Sequence, residues 1–160
     1  MKTRRDWDIF FMKVAREAAK LSYDKIRKVG AVVTMDNNIL SFSYNGTAPG
    51  QDNTMRDAEG KTLPNVFHAE AHALGKITRS TLSSVGSTIY TTLSPCWECS
   101  KLIALSGVRR VVYDELYKLE TLDWLNTQGI ETEQLYVYRK PDPFKPDPCS
   151  EWFGADHLYK

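Results

Sequence analysis

The sequence predicts an α/β layered fold, and three features carry that reading. A helical stretch with one apolar face opens the chain, a two-stranded hairpin follows it, and helical and strand patterns then alternate to near residue 138. That order suits layered α/β architectures, in which helices bury their apolar stripes on a sheet. At 160 residues the chain is long enough for one domain with a substantial core.

The elements follow in order. Trp7, Phe10, Phe11, Val14, Ala15, Ala18 and Leu21 share one face at a 3.6-residue period, which predicts a helix ending near Ser22. Residues 29–33 and 39–42 read as strands, with turn chemistry at Asp36-Asn37-Asn38 between them. A long polar stretch runs from Tyr44 to Val66 and holds Gly46, Pro49, Gly50, Gly60 and Pro64; segments of that kind are usually functional or mobile. Residues 68–77 predict a second helix, and residues 88–93 a buried strand. Ser94 then reads as an N-cap and Pro95 as the first position of a third helix, which reaches about Ser106 with Gly107 as its C′ residue. Residues 110–113 predict the next strand, 119–128 a helix stopped by Gly129, and 133–138 a fifth strand. The expected domain is 1–140. A tail over 141–160 holds Pro141, Pro143, Pro146 and Pro148, with Trp152, Phe153 and Tyr159 expected to pack on a neighbouring subunit.

Composition narrows the function classes. Twenty-one basic against 20 acidic residues leave a net charge of +1 and no basic block, so a nucleic-acid partner is not expected. No apolar run is long enough to span a membrane, and no continuous apolar core follows the basic N-terminus. Two of the three cysteines sit in Cys-x-x-Cys. Metal binding in a reducing cytoplasm explains that better than a disulfide framework. Cys149 reads as a free thiol.

The chemistry lies in two motifs, His68-Ala69-Glu70 and Pro95-Cys96-Trp97-Glu98-Cys99. His68, Cys96 and Cys99 offer three N/S ligands with no evident fourth, which is the catalytic rather than the structural arrangement of zinc. Cys96 and Cys99 are three apart at a helix start, where they share a face and where the helix dipole favours thiolate. Glu70 beside the open position is the candidate proton shuttle. His-x-Glu with Pro-Cys-x-x-Cys is the signature of zinc deaminases, so the class is identified from its motif. A redox Cys-x-x-Cys or a structural zinc ribbon competes, but no second Cys-x-x-Cys is present. His72 lies one helical turn from His68, yet a metalloprotease helix needs glutamate where Ala69 stands. His72 and Glu98 therefore read as neighbouring polar residues.

The resemblance reaches further than these ligands. Val29-Gly30-Ala31-Val32-Val33, Tyr44-Asn45-Gly46, Pro49-Gly50, His68-Ala69-Glu70, Tyr90-Thr91-Thr92-Leu93-Ser94-Pro95-Cys96 and Gly107-Val108 before Val111-Val112-Tyr113 are similar to the deoxycytidylate (dCMP) deaminases of the cytidine deaminase superfamily. The match runs from about Trp7 to Tyr138 and includes the insertion before His68. It implies a three-layer α/β/α fold with a five-stranded mixed sheet, and one zinc ion held by His68, Cys96 and Cys99. It also implies conversion of dCMP to dUMP for thymidylate synthesis. By the same resemblance Asn45 contacts the base or sugar, the Ala69 backbone holds the pyrimidine carbonyl, Arg27 meets the phosphate and Tyr117 lines the nucleotide pocket. Asn45 as a turn residue beside Gly46, and Arg27 as a solvated charge, are the competing readings.

Many relatives are hexamers activated by dCTP with Mg²⁺ and inhibited by dTTP, so a regulated homo-oligomer is implied. One departure stands out: His72 replaces an asparagine common in the family. Three alternatives remain open, namely a C5-modified dCMP substrate, a tRNA adenosine deaminase, and a non-catalytic zinc-stabilised nucleotide-binding module.

Overall fold

The structure, a computed structural model, describes residues 1–135. The fifth predicted strand beyond that point, the boundary near residue 140, Cys149 and the aromatic tail lie outside the described residues. Among the described residues, four helices and five strands form three layers around one mixed sheet. In chain order they are α1 (Arg4–Ala19), β1 (Gly30–Met35), β2 (Asn38–Tyr44), α2 (Ala69–Thr78), β3 (Thr88–Leu93), α3 (Trp97–Leu105), β4 (Arg110–Glu115), α4 (Leu119–Thr127) and β5 (Glu131–Gln134).

The first helix starts on a capping box. Thr3 accepts the Asp6 N–H, and the Asp6 carboxylate accepts the Thr3 N–H in return. The hairpin between β1 and β2 turns on Asp36 and Asn37, both with positive φ (49° and 61°), as a type I′ turn demands. The sheet order is β2-β1-β3-β4-β5. β1 runs antiparallel to β2 and β3, whereas β3, β4 and β5 are parallel.

Strand alternation divides the core. Ala31, Val33, Ile89, Val111 and Tyr113 face α2, α3 and α4, where Leu74, Ile77, Ile103, Leu122 and Leu125 cover them. Val32, Tyr90 and Val112 point the other way and meet Phe11, Met12 and Ala15 of α1. A side chain at Gly30 would run into the backbone of α1 at Ala15 and Ala19. Glycine there lets helix and sheet approach closely.

Several expected boundaries move; the first helix ends at Ala19 rather than near Ser22, and β1, β2 and β4 each run on for two residues past their expected ends. β5 begins at Glu131, two residues before the predicted start, because its parallel register with β4 pairs Arg110 with Glu131. The third helix begins at Trp97 with Cys96, not Ser94, at the N-cap. The Ser94 hydroxyl instead accepts the N–H groups of Tyr117 (2.8 Å) and Lys118 (3.4 Å). Tertiary contact with the loop after β4 has taken the oxygen that local propensity assigned to capping.

Candidate active site

The metal-ligand candidates meet where two helices begin, beside the end of β3. His68 is the N-cap of α2 and Cys96 the N-cap of α3, while Cys99 lies in the first turn of α3. Among the described residues these three form a group whose ligand atoms all lie within 4.8 Å of one another. His68 Nδ1 is 3.4 Å from Cys96 Sγ and 3.5 Å from Cys99 Sγ. Tetrahedral zinc, with bonds of about 2.3 Å to sulfur and about 2.0 Å to nitrogen, requires N···S edges of about 3.5 Å. The donor set therefore fits zinc in type and in spacing.

The electrostatics suit it too. Hydrogen bonding from Cys99, aided by His68, pulls Cys96 down to about 3 against the cost of its burial, so a thiolate is favoured there. Sharing with Cys96, together with burial, pushes Cys99 above the ordinary thiol range. The Cys96 sulfur raises the His68 imidazole through their contact, outweighing burial. A cation between the sulfurs would replace these shared protons.

Glu70 lies in the first turn of α2 and is 4 % exposed. Burial raises its carboxyl above the usual range, which suits a group that must both take and return a proton. Its Oε2 is 3.6 Å from Cys99 Sγ, so the carboxylate adjoins the metal-ligand group.

Above these groups opens a cleft of about 320 Å³, within the size range of small-molecule sites, about 300–1,000 Å³. His68, Ala69, Glu70 and Cys96 lie along it with Asn45, Arg27 and Tyr117, so the structure brings every candidate except the buried Cys99 to one cavity wall. Ala69 opens α2, where the first-turn amides have no intrahelical carbonyl to meet. The Arg27 guanidinium lies 5.6 Å over the Tyr117 ring, and Lys118 approaches the same ring at 5.5 Å. Asn45 is engaged within the chain. Its Oδ1 accepts the Val29 N–H at 2.8 Å, and its Nδ2 donates to the Arg27 carbonyl at 3.0 Å and to Asp24 at 3.4 Å.

Sequence reasoning missed Asp24 and Arg56 on the cleft wall and gave Ser94, also on that wall, a capping role. Arg56 lies in the long polar stretch, 32 positions from the Asp24 carboxylate it grips, and no local pattern marks such a pair. His72 stands outside the ligand group and presents its ring to Phe67 at 5.8 Å. Glu98 is a surface residue paired with Lys101.

Comparison with known proteins agrees with this geometry. Residues 5–115 match the family model for the cytidine and deoxycytidylate deaminase zinc-binding region. The chain is 40 % identical over 126 residues to a deoxycytidylate deaminase of Mycobacterium phage D29, covering 69 % of this chain and 96 % of that protein. It is 30 % identical to the Saccharomyces cerevisiae deoxycytidylate deaminase over 86 % of this chain, which spans only 47 % of the yeast protein. Among solved structures it is similar to the dCMP deaminase of cyanophage S-TIM5 in complex with dCMP and dUMP. That match has a TM-score of 0.80 and 37 % identity, covering 84 % of this chain and all of that one.

Proposed function

The chain belongs to the cytidine and deoxycytidylate deaminases, and on that premise we propose that it converts dCMP to dUMP by zinc-dependent hydrolysis, supplying dUMP for thymidylate synthesis. The observation that carries the proposal is one cleft holding the buried Glu70 and the His68/Cys96/Cys99 group, with Arg27 and Tyr117 also on its walls. Similarity to a phage enzyme solved with dCMP and dUMP supports the choice of nucleotide.

His68, Cys96 and Cys99 would hold the zinc, which when bound supplies the Lewis acidity that makes water nucleophilic near neutral pH. The remaining work falls to the chain. Glu70 takes a proton from the attacking water and gives it to the ring nitrogen as oxygen bonds to C4. A second transfer through the same carboxylate protonates the exocyclic amine, the C4–N bond breaks, and ammonia leaves as the carbonyl forms. The Ala69 N–H holds the pyrimidine carbonyl. Arg27 meets the 5′-phosphate, with Tyr117 beneath its guanidinium. Asn45 sets the sugar end of the pocket through the loop it braces. A homo-oligomer, a hexamer among relatives, activated by dCTP with Mg²⁺ and inhibited by dTTP, completes the reading.

Ammonia release from dCMP, dCTP, deoxycytidine, C5-modified dCMP and tRNA tests it. Turnover of dCMP well above the others is expected. Turnover of tRNA adenosine without dCMP turnover would overturn it.

A further inference from the structure

We infer that Asp24 and Arg56 are positioning residues for nucleotide binding: the ion pair between the buried Asp24 and the half-buried Arg56 holds the 55–63 segment in place as a wall of the catalytic cleft. The inference rests on the reading of that cleft as a nucleotide site.

The Asp24 carboxylate is almost fully buried and fully engaged. Its Oδ1 accepts the N–H groups of Ile26 (2.8 Å) and Arg27 (3.1 Å) and Arg56 Nε (2.9 Å). Its Oδ2 accepts Arg56 Nη2 (2.8 Å) and Asn45 Nδ2 (3.4 Å). A carboxylate offers about four lone-pair sites, so none remains for a ligand. Arg56 spends its charge on the same partner in a two-pronged pair, and its Nη1 donates to the Gly60 carbonyl at 2.7 Å. Both residues border the cleft, yet their charges point at each other.

The 55–63 segment needs such a hold. It doubles back on itself: Leu63 N–H donates to the Met55 carbonyl, Asp57 N–H to the Lys61 carbonyl, and Arg56 bridges to Thr62. Met55 is the one buried apolar side chain between residues 47 and 67, so apolar burial anchors little of it. Its place therefore depends on the polar latch. Thr62, which reaches the cleft from this segment and is bridged to Arg56, depends on the latch with it. The same carboxylate fixes the Arg27 backbone, which couples the wall to the cation over Tyr117.

Glu70 and the metal-ligand group sit on α2 and α3 and are held separately. Loss of the latch should therefore weaken binding and spare the chemical step, which shows as KM rising while kcat holds.

The test uses the full-length, zinc-loaded protein with dCMP, comparing wild type, Arg56→Ala, Arg56→Lys and Asp24→Asn. Arg56→Ala is expected to raise KM by about tenfold or more with kcat within about threefold. Zinc content should stay unchanged, Arg56→Lys should recover part of the KM, and thermolysin should cut faster between residues 46 and 67. A wild-type KM in Arg56→Ala, or a loss confined to kcat or zinc content, would overturn the inference. Should Asp24→Asn fail to fold, the two Arg56 variants decide. Wild-type turnover with an unmoved Arg56→Ala KM sinks the latch alone, whereas a wild-type protein inert towards dCMP sinks the functional reading and the latch together.

Discussion

Glu70 shows how one side chain takes its chemistry from its surroundings. On a surface it would be an ordinary carboxylate; at the start of α2, buried and 3.6 Å from Cys99 Sγ, it is held towards the protonated form. Glu70→Gln keeps the shape and removes the proton carrier. The variant should bind zinc as the wild type does and lose about 10²–10⁴-fold in kcat. Steady-state kinetics paired with metal analysis checks this, and near-normal turnover would refute the shuttle. Glu70 and the three candidate ligands were legible as a cluster in the sequence because metal chemistry demands those residue types at close spacing, and the fold brings them together. Ser94 was legible as a polar residue before a helix but not in its role. Its hydroxyl is drawn to Tyr117 and Lys118, which no local pattern could show.

Among the elements, helix starts organise the site. Two N-caps present His68 and Cys96, and β3 fixes the second by ending one residue before Ser94. The close approach of β1 to α1 through Gly30 sets the opposite layer. Gly30→Ala places a methyl against the Ala15 and Ala19 backbone and should destabilise the fold by about 1–3 kcal/mol, as overpacking does. Denaturant melts of the two proteins would measure it, and an unchanged midpoint would count against a tight α1–β1 contact. Most element positions were readable because periodicity reports which face is buried. The start of β5 was not, because Glu131 joins the sheet by pairing with Arg110 rather than by apolar alternation.

Across the whole molecule, buried charge links the layers. Arg110 on β4 grips Asp8 on α1 through two hydrogen bonds (2.7 and 2.8 Å), with Tyr90 on β3 donating to the same carboxylate and Glu133 on β5 taking a further Arg110 hydrogen. Burial alone would raise Asp8, but the bonds from Arg110 and Tyr90 outweigh it and hold the carboxyl below the usual range. A carboxyl lowered in the folded state stabilises fully above its unfolded value, about 3.9, and the contribution fades as pH falls through the folded one. Urea melts of wild type should therefore weaken steeply below about pH 4, and Asp8→Asn should flatten that slope. At neutral pH the same substitution leaves Arg110 short of a partner and should cost about 3–5 kcal/mol. Zinc removal is a second test at this scale. Chelation should lower the melting temperature and expose Cys96 and Cys99 to thiol reagents, and zinc readdition should reverse both.

What the sequence determined by itself was local and chemical. Residue types and short spacings specify candidate ligands, a candidate proton carrier, turn residues and the face each element buries, because these depend on atoms a few residues apart. The tertiary structure decided what depends on distant partners. It placed Arg27 over Tyr117, gave the Asn45 side chain to the loop that carries Arg27, and bound Arg56 to Asp24 across 32 positions. Such contacts form only when sheet pairing brings remote segments together, and their strength depends on the burial that packing creates. The candidate metal cluster is thus written along the chain, and the walls of the cleft beside it are written in the fold.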